Sequence, residues 1–464
     1  MLVLGMGETG LSMVKWLSRQ GANVRAADSR ATPPNLDAMR RAVPAAQIFA
    51  GTFAAETFAG IDLIAISPGV PLAEPLVQQA AKRGVPVVGD MELFALALGQ
   101  IGSSRSKILA ITGSNGKTTV TAMVGAMVQR AGWDVEVAGN IGPAVLDTLM
   151  QREDSGKLPQ AWVLEISSFQ LETTQSLDPA VATVLNLCED HFDRYVGMQD
   201  YAAAKARIFL GEGAGVQILN RDDPLVRAMA LPDRKWMTFG LDAPVTESDF
   251  GLLRDDGDTW LMQGRTRLLK TSELAITGLH NAANALAALA LCRAVELPFE
   301  PLLQALREFK GLPHRMEKVT TVGGVTFYDD SKGTNVGATV AALNGMTQGV
   351  VLIAGGDGKG QDFFPLRQPL AECARAVVLI GRDAGKIAAA LAGCGVPLYQ
   401  AKTMEEAVQQ SFVLAQQGDA VLMSPACASL DMFRNYAHRA EVFVAAVREL
   451  AARVPATIEQ GPSQ

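Results

Sequence analysis

Short apolar runs recur along this chain, each ending in glycine-rich or small polar residues and followed by a stretch with helical spacing. Through residues 1 to about 98 the alternation predicts short strands and helices in a parallel α/β sheet. A first strand runs into Gly5-Met-Gly-Glu-Thr-Gly10, and the amphipathic run Leu11 to Arg19 follows. Further strands are expected at Asn23–Ala27, ending in Asp28, and at Asp62–Ile66, ending in Ser67-Pro-Gly-Val-Pro71. Gly99 to Lys107, rich in glycine and serine, predicts a linker and a domain boundary. A second domain should then run to Lys310. It holds strands at Ala161–Ile166 and Val181–Leu187, a helix around Tyr201–Ile208, antiparallel strands over 233–277 with a hairpin tip at Asp255–Asp258, and an alanine-rich helix from Gly278. Gly311-Leu-Pro-His-Arg315 marks the next boundary. Strands at Val325–Tyr328, Gly349–Ala354, Ala376–Ile380 and Asp419–Met423 then build a third domain, and Pro455–Gln464 reads as a disordered tail. The domains expected are 1–98, 99–310 and 311–464, the outer two Rossmann-like and the central one a mononucleotide-binding α/β domain with an extra antiparallel sheet.

Composition narrows the function classes. The chain has 464 residues, 48% of them hydrophobic, enough for several cores. It lacks a long uncharged apolar window and a basic leader, so neither stable membrane insertion nor a signal peptide is expected. Its five cysteines have no metal-ligand spacing, which fits buried thiols in a reducing cytoplasm. The net charge of −7 argues against nucleic acid as a partner.

The strongest chemical signal is Lys107-Ile-Leu-Ala-Ile-Thr-Gly-Ser-Asn-Gly-Lys-Thr-Thr-Val-Thr121. An apolar strand, a glycine turn and a helix opening at Lys117 make a phosphate cradle. Lys117 can reach the terminal phosphates and Thr118 can hold Mg²⁺. The loop is shorter than the common one, since Ile111 stands near the place of an earlier glycine. Glu165, at a strand end, suits a Mg²⁺ ligand, and His191 is a candidate second ligand. Lys205, taken alone on its alanine-rich helix, reads as a solvated lysine. Asp329-Asp-Ser-Lys-Gly-Thr-Asn335 gathers carboxylates, a lysine and hydroxyls on one loop. With Lys359 and Ser429 on other loops it suits an acidic substrate or a nucleotide. Gly5 to Gly10 with Asp28 also fits a dinucleotide fingerprint, which leaves an NAD-dependent dehydrogenase as an alternative.

Together, Thr112-Gly-Ser-Asn-Gly-Lys-Thr-Thr119, Glu165 in Glu-Ile-Ser-Ser-Phe-Gln, Asp190-His191, His280-Asn-Ala-Ala-Asn284, Leu312-Pro-His-Arg315 and Asp329 to Asn335 resemble the Mur ligases of peptidoglycan synthesis. Folylpolyglutamate synthases share the shortened loop and are the nearest rival. Ser67-Pro-Gly69, Asp329-Asp-Ser-Lys332 and Ser424 to Asp431 look like the members that join D-glutamate to UDP-N-acetylmuramoyl-L-alanine. The resemblance implies an ATP-dependent amide ligase working through an acyl phosphate, monomeric and cytoplasmic, with two Mg²⁺ sites. It implies that Gly113, Ser114, Asn115, Gly116, Lys117, Thr118 and Thr119 cradle ATP, with Asn284, Arg315 and Asp330 on the nucleotide. Thr118, Glu165, His191 and a carbamylated Lys205 would serve the metals. Glu8, Thr9, Ser29, Arg30, Ser67 and Gly69 would hold the uridine diphosphate, and Asn140 the sugar-nucleotide. Lys332, Thr334, Lys359, Ser429 and Tyr436 would surround D-glutamate, although the family usually has Phe at the last position.

Overall fold

The computed structural model describes residues 1–102, 106–211, 213 and 215–454. The expected tail and part of the expected linker lie outside the described residues. The chain divides into two compact units. One comprises Met1–Leu187, Gln199–Ala275 and Asn281–Phe309. The other comprises Cys188–Met198, Ile276–His280 and the chain from Lys310 onward.

The first unit carries two sheets. In the N-terminal one, β1 (Leu2–Leu4), β2 (Arg25–Asp28), β3 (Gln47–Ala50), β4 (Ile64–Ile66) and β5 (Val87–Val88) are all parallel, in the order β3-β2-β1-β4-β5. β1 is buried throughout, as a central parallel strand covered on both faces must be. The helix Glu8–Arg19 lays Met13, Val14, Trp16 and Leu17 onto the sheet. Its acid stands in the first turn and its base in the last, each complementing the helix dipole. Gly10 lets helix and strand touch: a Cβ there would lie 1.8 Å from the Gly5 carbonyl oxygen. The strand order reverses between β1 and β4, so the loops after them flank a crevice at the sheet's carboxyl edge.

The second sheet contains β6 (Lys107–Thr112), β7 (Val135–Gly139), β8 (Ala161–Glu165), β9 (Val181–Val184), β10 (Val216–Asn220), β11 (Trp236–Phe239), β12 (Phe250–Asp255), β13 (Asp258–Gln263) and β14 (Thr266–Lys270). Their order is β14-β13-β12-β11-β10-β9-β6-β8-β7. The expected antiparallel portion is present in β12 to β14, with its hairpin tip between Asp255 and Asp258. β11 departs from that expectation and pairs in parallel with β10. The connection between them includes the helix Pro224–Arg227 and is long enough for a parallel return. The expected linker also begins later than its glycines suggest. The helix Asp90–Ile101 runs through Gly99 and ends at Gly102, which takes the left-handed conformation with φ 68°. Buried Leu93, Phe94, Ala97 and Leu98 hold that helix in place. Phe94 meets Trp162 of β8 edge to face at 5.0 Å between centroids. Truncating either ring to alanine should cost about 3–5 kcal/mol.

The second unit carries β15 (Glu317–Val322), β16 (Val325–Asp329), β17 (Val350–Gly355), β18 (Ala374–Ile380), β19 (Leu398–Gln400) and β20 (Ala420–Met423), ordered β15-β16-β20-β17-β18-β19. Only β15 is antiparallel to its neighbour. β16, β20 and β17 are adjacent and parallel. The loops following them, which carry the candidate residues from Asp330 to Ser429, therefore open on one edge. No helix among the described residues is long and apolar enough to cross a membrane.

Candidate active site

In the N-terminal sheet, Asp28 is buried at the end of β2, and its carboxylate is saturated. Oδ1 accepts from the backbone and side chain of Arg30 at 2.9 and 2.8 Å; Oδ2 accepts from the Met6 N–H at 2.7 Å and from Arg30 at 2.6 Å. Against the opposing effect of burial, the Arg30 guanidinium and the backbone donors bring the carboxyl down to about 2. A carboxylate with all its acceptor sites filled offers none to a ribose hydroxyl, which removes the feature on which a dinucleotide reading depends. Arg30 and Ser29 remain exposed at the crevice, as do Glu8 at the start of its helix and Gly69 after β4. Thr9 is half-buried, and Ser67 is buried with its hydroxyl on the Gly5 carbonyl at 3.3 Å.

The glycine loop follows β6, and the helix Lys117–Arg130 opens directly from it. Gly116 sits at φ 83°, a conformation that strains any other residue, and a Cβ there would meet Asn284 Oδ1 at 2.5 Å. Asn284 is thus packed against the loop. Lys117 Nζ donates to the carbonyls of Gly113 and Ser114 at 2.8 and 2.9 Å. Thr118 and Thr119 are buried in the first helical turn. Asn186, which sequence reasoning passed over, staples the loop: its carbonyl accepts from Ser114 N–H at 2.9 Å, and its side-chain amide exchanges two bonds with Asn115.

Lys205 corrects its reading as a solvated lysine. It is 1% exposed, its ammonium donates to the Gly113 carbonyl at 2.9 Å, and it lies 4.7 Å from the Tyr201 ring centroid. The helix Met198–Ala206 is too short of polar contrast to reveal which face is covered. Tyr201 also accepts from Ser114 Oγ at 3.1 Å.

Glu165 ends β8 directly beside β6, in register with Ile111. Its Oε1 accepts from Asn140 Nδ2 at 2.6 Å. Its Oε2 is buried and has no hydrogen-bond partner among the described residues. A buried carboxylate oxygen with unspent acceptor capacity, beside a phosphate loop, fits a hard divalent cation.

The remaining candidates lie in the second unit. His191 takes a left-handed φ of 58°, and its backbone N–H donates to Asp190 Oδ1 at 3.0 Å. Lys359, also left-handed at φ 50°, forms an ion pair with the buried Asp190, which further accepts from Asn335 at 3.2 Å. Asp329 and Asp330 end β16. Burial pushes Asp330 up to about 6, against Ser424 Oγ at 2.7 Å and the Arg315 charge, which act the other way. Burial likewise raises Asp329, with His314 Nδ1 at 2.7 Å opposing it. Lys332 holds its ammonium 5.1 Å from the Tyr436 ring centroid. The His314 ring meets that same ring edge-on at 6.4 Å. Ser429 is buried, while Thr334 is half-buried on the loop after Asp330. Arg439 was not foreseen. It is fully buried and joins the two loops, donating to Ser331 Oγ and O at 3.1 and 2.7 Å and to the Cys427 carbonyl at 3.0 Å. A single arginine on a helix gives no local sign of this role.

Comparison with known proteins places the chain in a family. Residues 1–89 match the Mur ligase MurD-like N-terminal domain, 111–292 the Mur ligase middle domain, and 314–427 the Mur ligase glutamate ligase domain. The UDP-N-acetylmuramoylalanine–D-glutamate ligase of Nitrosospira multiformis is 70% identical over 97% of this chain and 95% of its own length. That of Nitrosomonas europaea is 67% identical over 96% and 95%. Among solved structures, the UDP-N-acetylmuramate–alanine ligase from Thermotoga maritima has a TM-score of 0.60 at 20% identity, covering 97% of this chain and 99% of its own. MurF from Acinetobacter baumannii has a TM-score of 0.61 at 19% identity, covering 92% and 90%, so both share the three-domain α/β fold. Near-complete coverage at 70% and 67% identity leaves one conclusion: this chain belongs to the Mur ligase family.

Proposed function

We propose that this protein is an ATP-dependent amide ligase that joins D-glutamate to UDP-N-acetylmuramoyl-L-alanine, releasing ADP and phosphate, in peptidoglycan precursor synthesis. The observation that carries the reading is its full-length likeness, at 70% identity, to a relative named for that reaction. The same likeness disfavours a folylpolyglutamate synthase, and the saturated Asp28 disfavours a dehydrogenase. The division of labour follows the chain: residues 1–98 for the uridine diphosphate, 99–310 for ATP, and 311–464 for the amino acid. A monomer in the cytoplasm is the form in which we expect it to act.

The reaction needs two displacements. A carboxylate oxygen of the L-alanyl group attacks the γ-phosphorus of ATP, and ADP leaves. The amine of D-glutamate then attacks the acyl carbon, and the tetrahedral adduct collapses to amide and inorganic phosphate. Lys117 supplies positive charge to the transferring phosphoryl group, and the N–H groups of Gly113 to Thr119 orient it. Asn284, Arg315 and Asp330 hold the nucleotide. Glu8, Thr9, Ser29, Arg30, Ser67 and Gly69 hold the uridine diphosphate, and Asn140 meets the sugar-nucleotide while orienting Glu165. Lys332 and Lys359 clamp the carboxylates of D-glutamate, with Thr334, Ser429 and Tyr436 around them, so that its amine is aligned. Thr118, Glu165, His191 and a carbamylated Lys205 would hold two Mg²⁺ ions. Bound there, Mg²⁺ offsets charge on the phosphoryl oxygens.

Phosphate release with ATP, Mg²⁺ and UDP-N-acetylmuramoyl-L-alanine, compared across D-glutamate, L-glutamate, L-lysine and diaminopimelate, tests the reading. Release with D-glutamate alone supports it. Release with another amino acid alone removes it.

A further inference from the structure

The helix Asp90–Ile101 falls between the matched stretches 1–89 and 111–292, and no role attaches to it. It leads out of the N-terminal sheet, yet two of its carboxylates grip the turn that follows β8. Glu92 accepts from the backbone N–H groups of Gln175 and Ser176 at 2.6 and 2.8 Å, and from Ser176 Oγ at 2.6 Å. Asp90, 2% exposed, accepts from Gln170 Nε2 at 2.9 Å. Its other oxygen is buried without a hydrogen-bond partner among the described residues.

Gln170 closes a capping box. Its Oε1 accepts from the N–H and hydroxyl of Ser167 at 3.0 and 3.1 Å, and Ser167 Oγ accepts from Gln170 N–H at 3.2 Å. Ser167 lies one residue beyond Ile166, which follows Glu165. A glutamine amide can face either way, and only one orientation closes this box. An ionised carboxylate accepts and cannot donate, so Asp90 compels the NH₂ group to face it and the oxygen to face Ser167. Burial pushes Asp90 up to about 6, so above that pH it is ionised and enforces this orientation.

We infer that Asp90 is a positioning residue: it orients Gln170, which fixes the strand exit carrying Glu165, and so ties the helix leaving the uridine-nucleotide sheet to the metal end of the ATP site. The inference rests on the reading of Glu165 as a metal ligand.

The test uses the full chain, the Mg²⁺ dependence of phosphate release and, without substrates or turnover, Mn²⁺ binding read by electron paramagnetic resonance, which should weaken in step, with D90A, D90N, Q170A, Q170M, the D90A/Q170A double variant and E165Q in parallel. D90A should raise the Mg²⁺ half-saturation by about tenfold, the usual scale for groups that orient metal ligands, while the KM for D-glutamate stays within about twofold. Q170M, which keeps side-chain volume, should reproduce the effect even if D90A folds poorly. D90N, which retains an acceptor but no longer compels the amide's orientation, should fall between D90A and the parent. The double variant should be no worse than the poorer single one, because both act through one bond. Unchanged Mg²⁺ dependence in D90A and Q170M, multiplicative losses in the double variant, or an equal rise in the KM for D-glutamate would overturn the inference. If E165Q also leaves the Mg²⁺ dependence unchanged, the metal reading of Glu165 falls with it; if E165Q alone is impaired, only the role of Asp90 falls.

Discussion

The ammonium of Lys205 donates to the carbonyl oxygen of Gly113 at 2.9 Å, in a place where the lysine is 1% exposed. A buried ammonium is costly unless its surroundings use it, and this one touches the phosphate loop itself. Lys205→Ala should therefore lower turnover by at least about 100-fold, beyond the usual loss for residues that only orient a metal ligand. Added bicarbonate should not restore it, because no amine remains to be carbamylated. Steady-state phosphate release is the measurement, and full activity of the variant would remove the proposed carbamate.

Glu165 offers one buried oxygen without a hydrogen-bond partner among the described residues. Asn140→Ala would leave its other oxygen without the 2.6 Å bond that orients it. We expect this variant to need about 10–100 times more Mg²⁺ for half-maximal rate. A Mg²⁺ titration that superimposes on the parent's would refute that role for Asn140.

Asp330 sets a pH dependence with a definite sign. Its carboxyl rises from 3.8 in the unfolded chain to about 6 in the fold, chiefly through burial. The folded state holds the extra proton between those values. Stability from this residue is therefore fully present below about pH 4 and lost as pH rises through about 6. Asp330→Asn should raise the melting temperature above pH 6, by an amount worth up to about 3 kcal/mol, and the gain should vanish near pH 4. A gain that grows toward acid would contradict this.

The Tyr436 ring meets both the Lys332 ammonium and the His314 ring. Tyr436→Phe keeps that ring and should leave the KM for D-glutamate within about twofold. Tyr436→Ala removes a cation–π contact worth about 0.5–2 kcal/mol, so the KM should rise by about 2- to 30-fold. If the two substitutions prove equally damaging, the hydroxyl rather than the ring matters.

The phosphate loop could be read from sequence because its signals are local: an apolar strand, glycines where the backbone must turn, and a lysine at the first helical position. The loops after β16, β20 and β17 were likewise recognisable as polar breaks between apolar runs. Lys205 was not, because only tertiary packing decides which side of an alanine-rich helix is covered. Asn186, Arg439 and Asp90 act through partners far along the chain, and no short window contains both ends of such a bond. β11 was misread because its few residues look the same whichever way their neighbour runs. The helix through Gly99 outlasted its glycine because its buried apolar side chains outweigh one unfavourable residue.

β14 ends the second sheet and, among the described residues, pairs with β13 alone. Its Arg267 and Lys270 fold over Trp260 at 5.5 and 5.2 Å from the ring, and they form ion pairs with Asp255 and Asp258. The largest apolar surface of the hairpin is thus sheathed by two cations on the outermost strand. A strand added at that edge would stand beside two charged side chains, so the long sheet resists edge-to-edge aggregation where a flat apolar border would invite it.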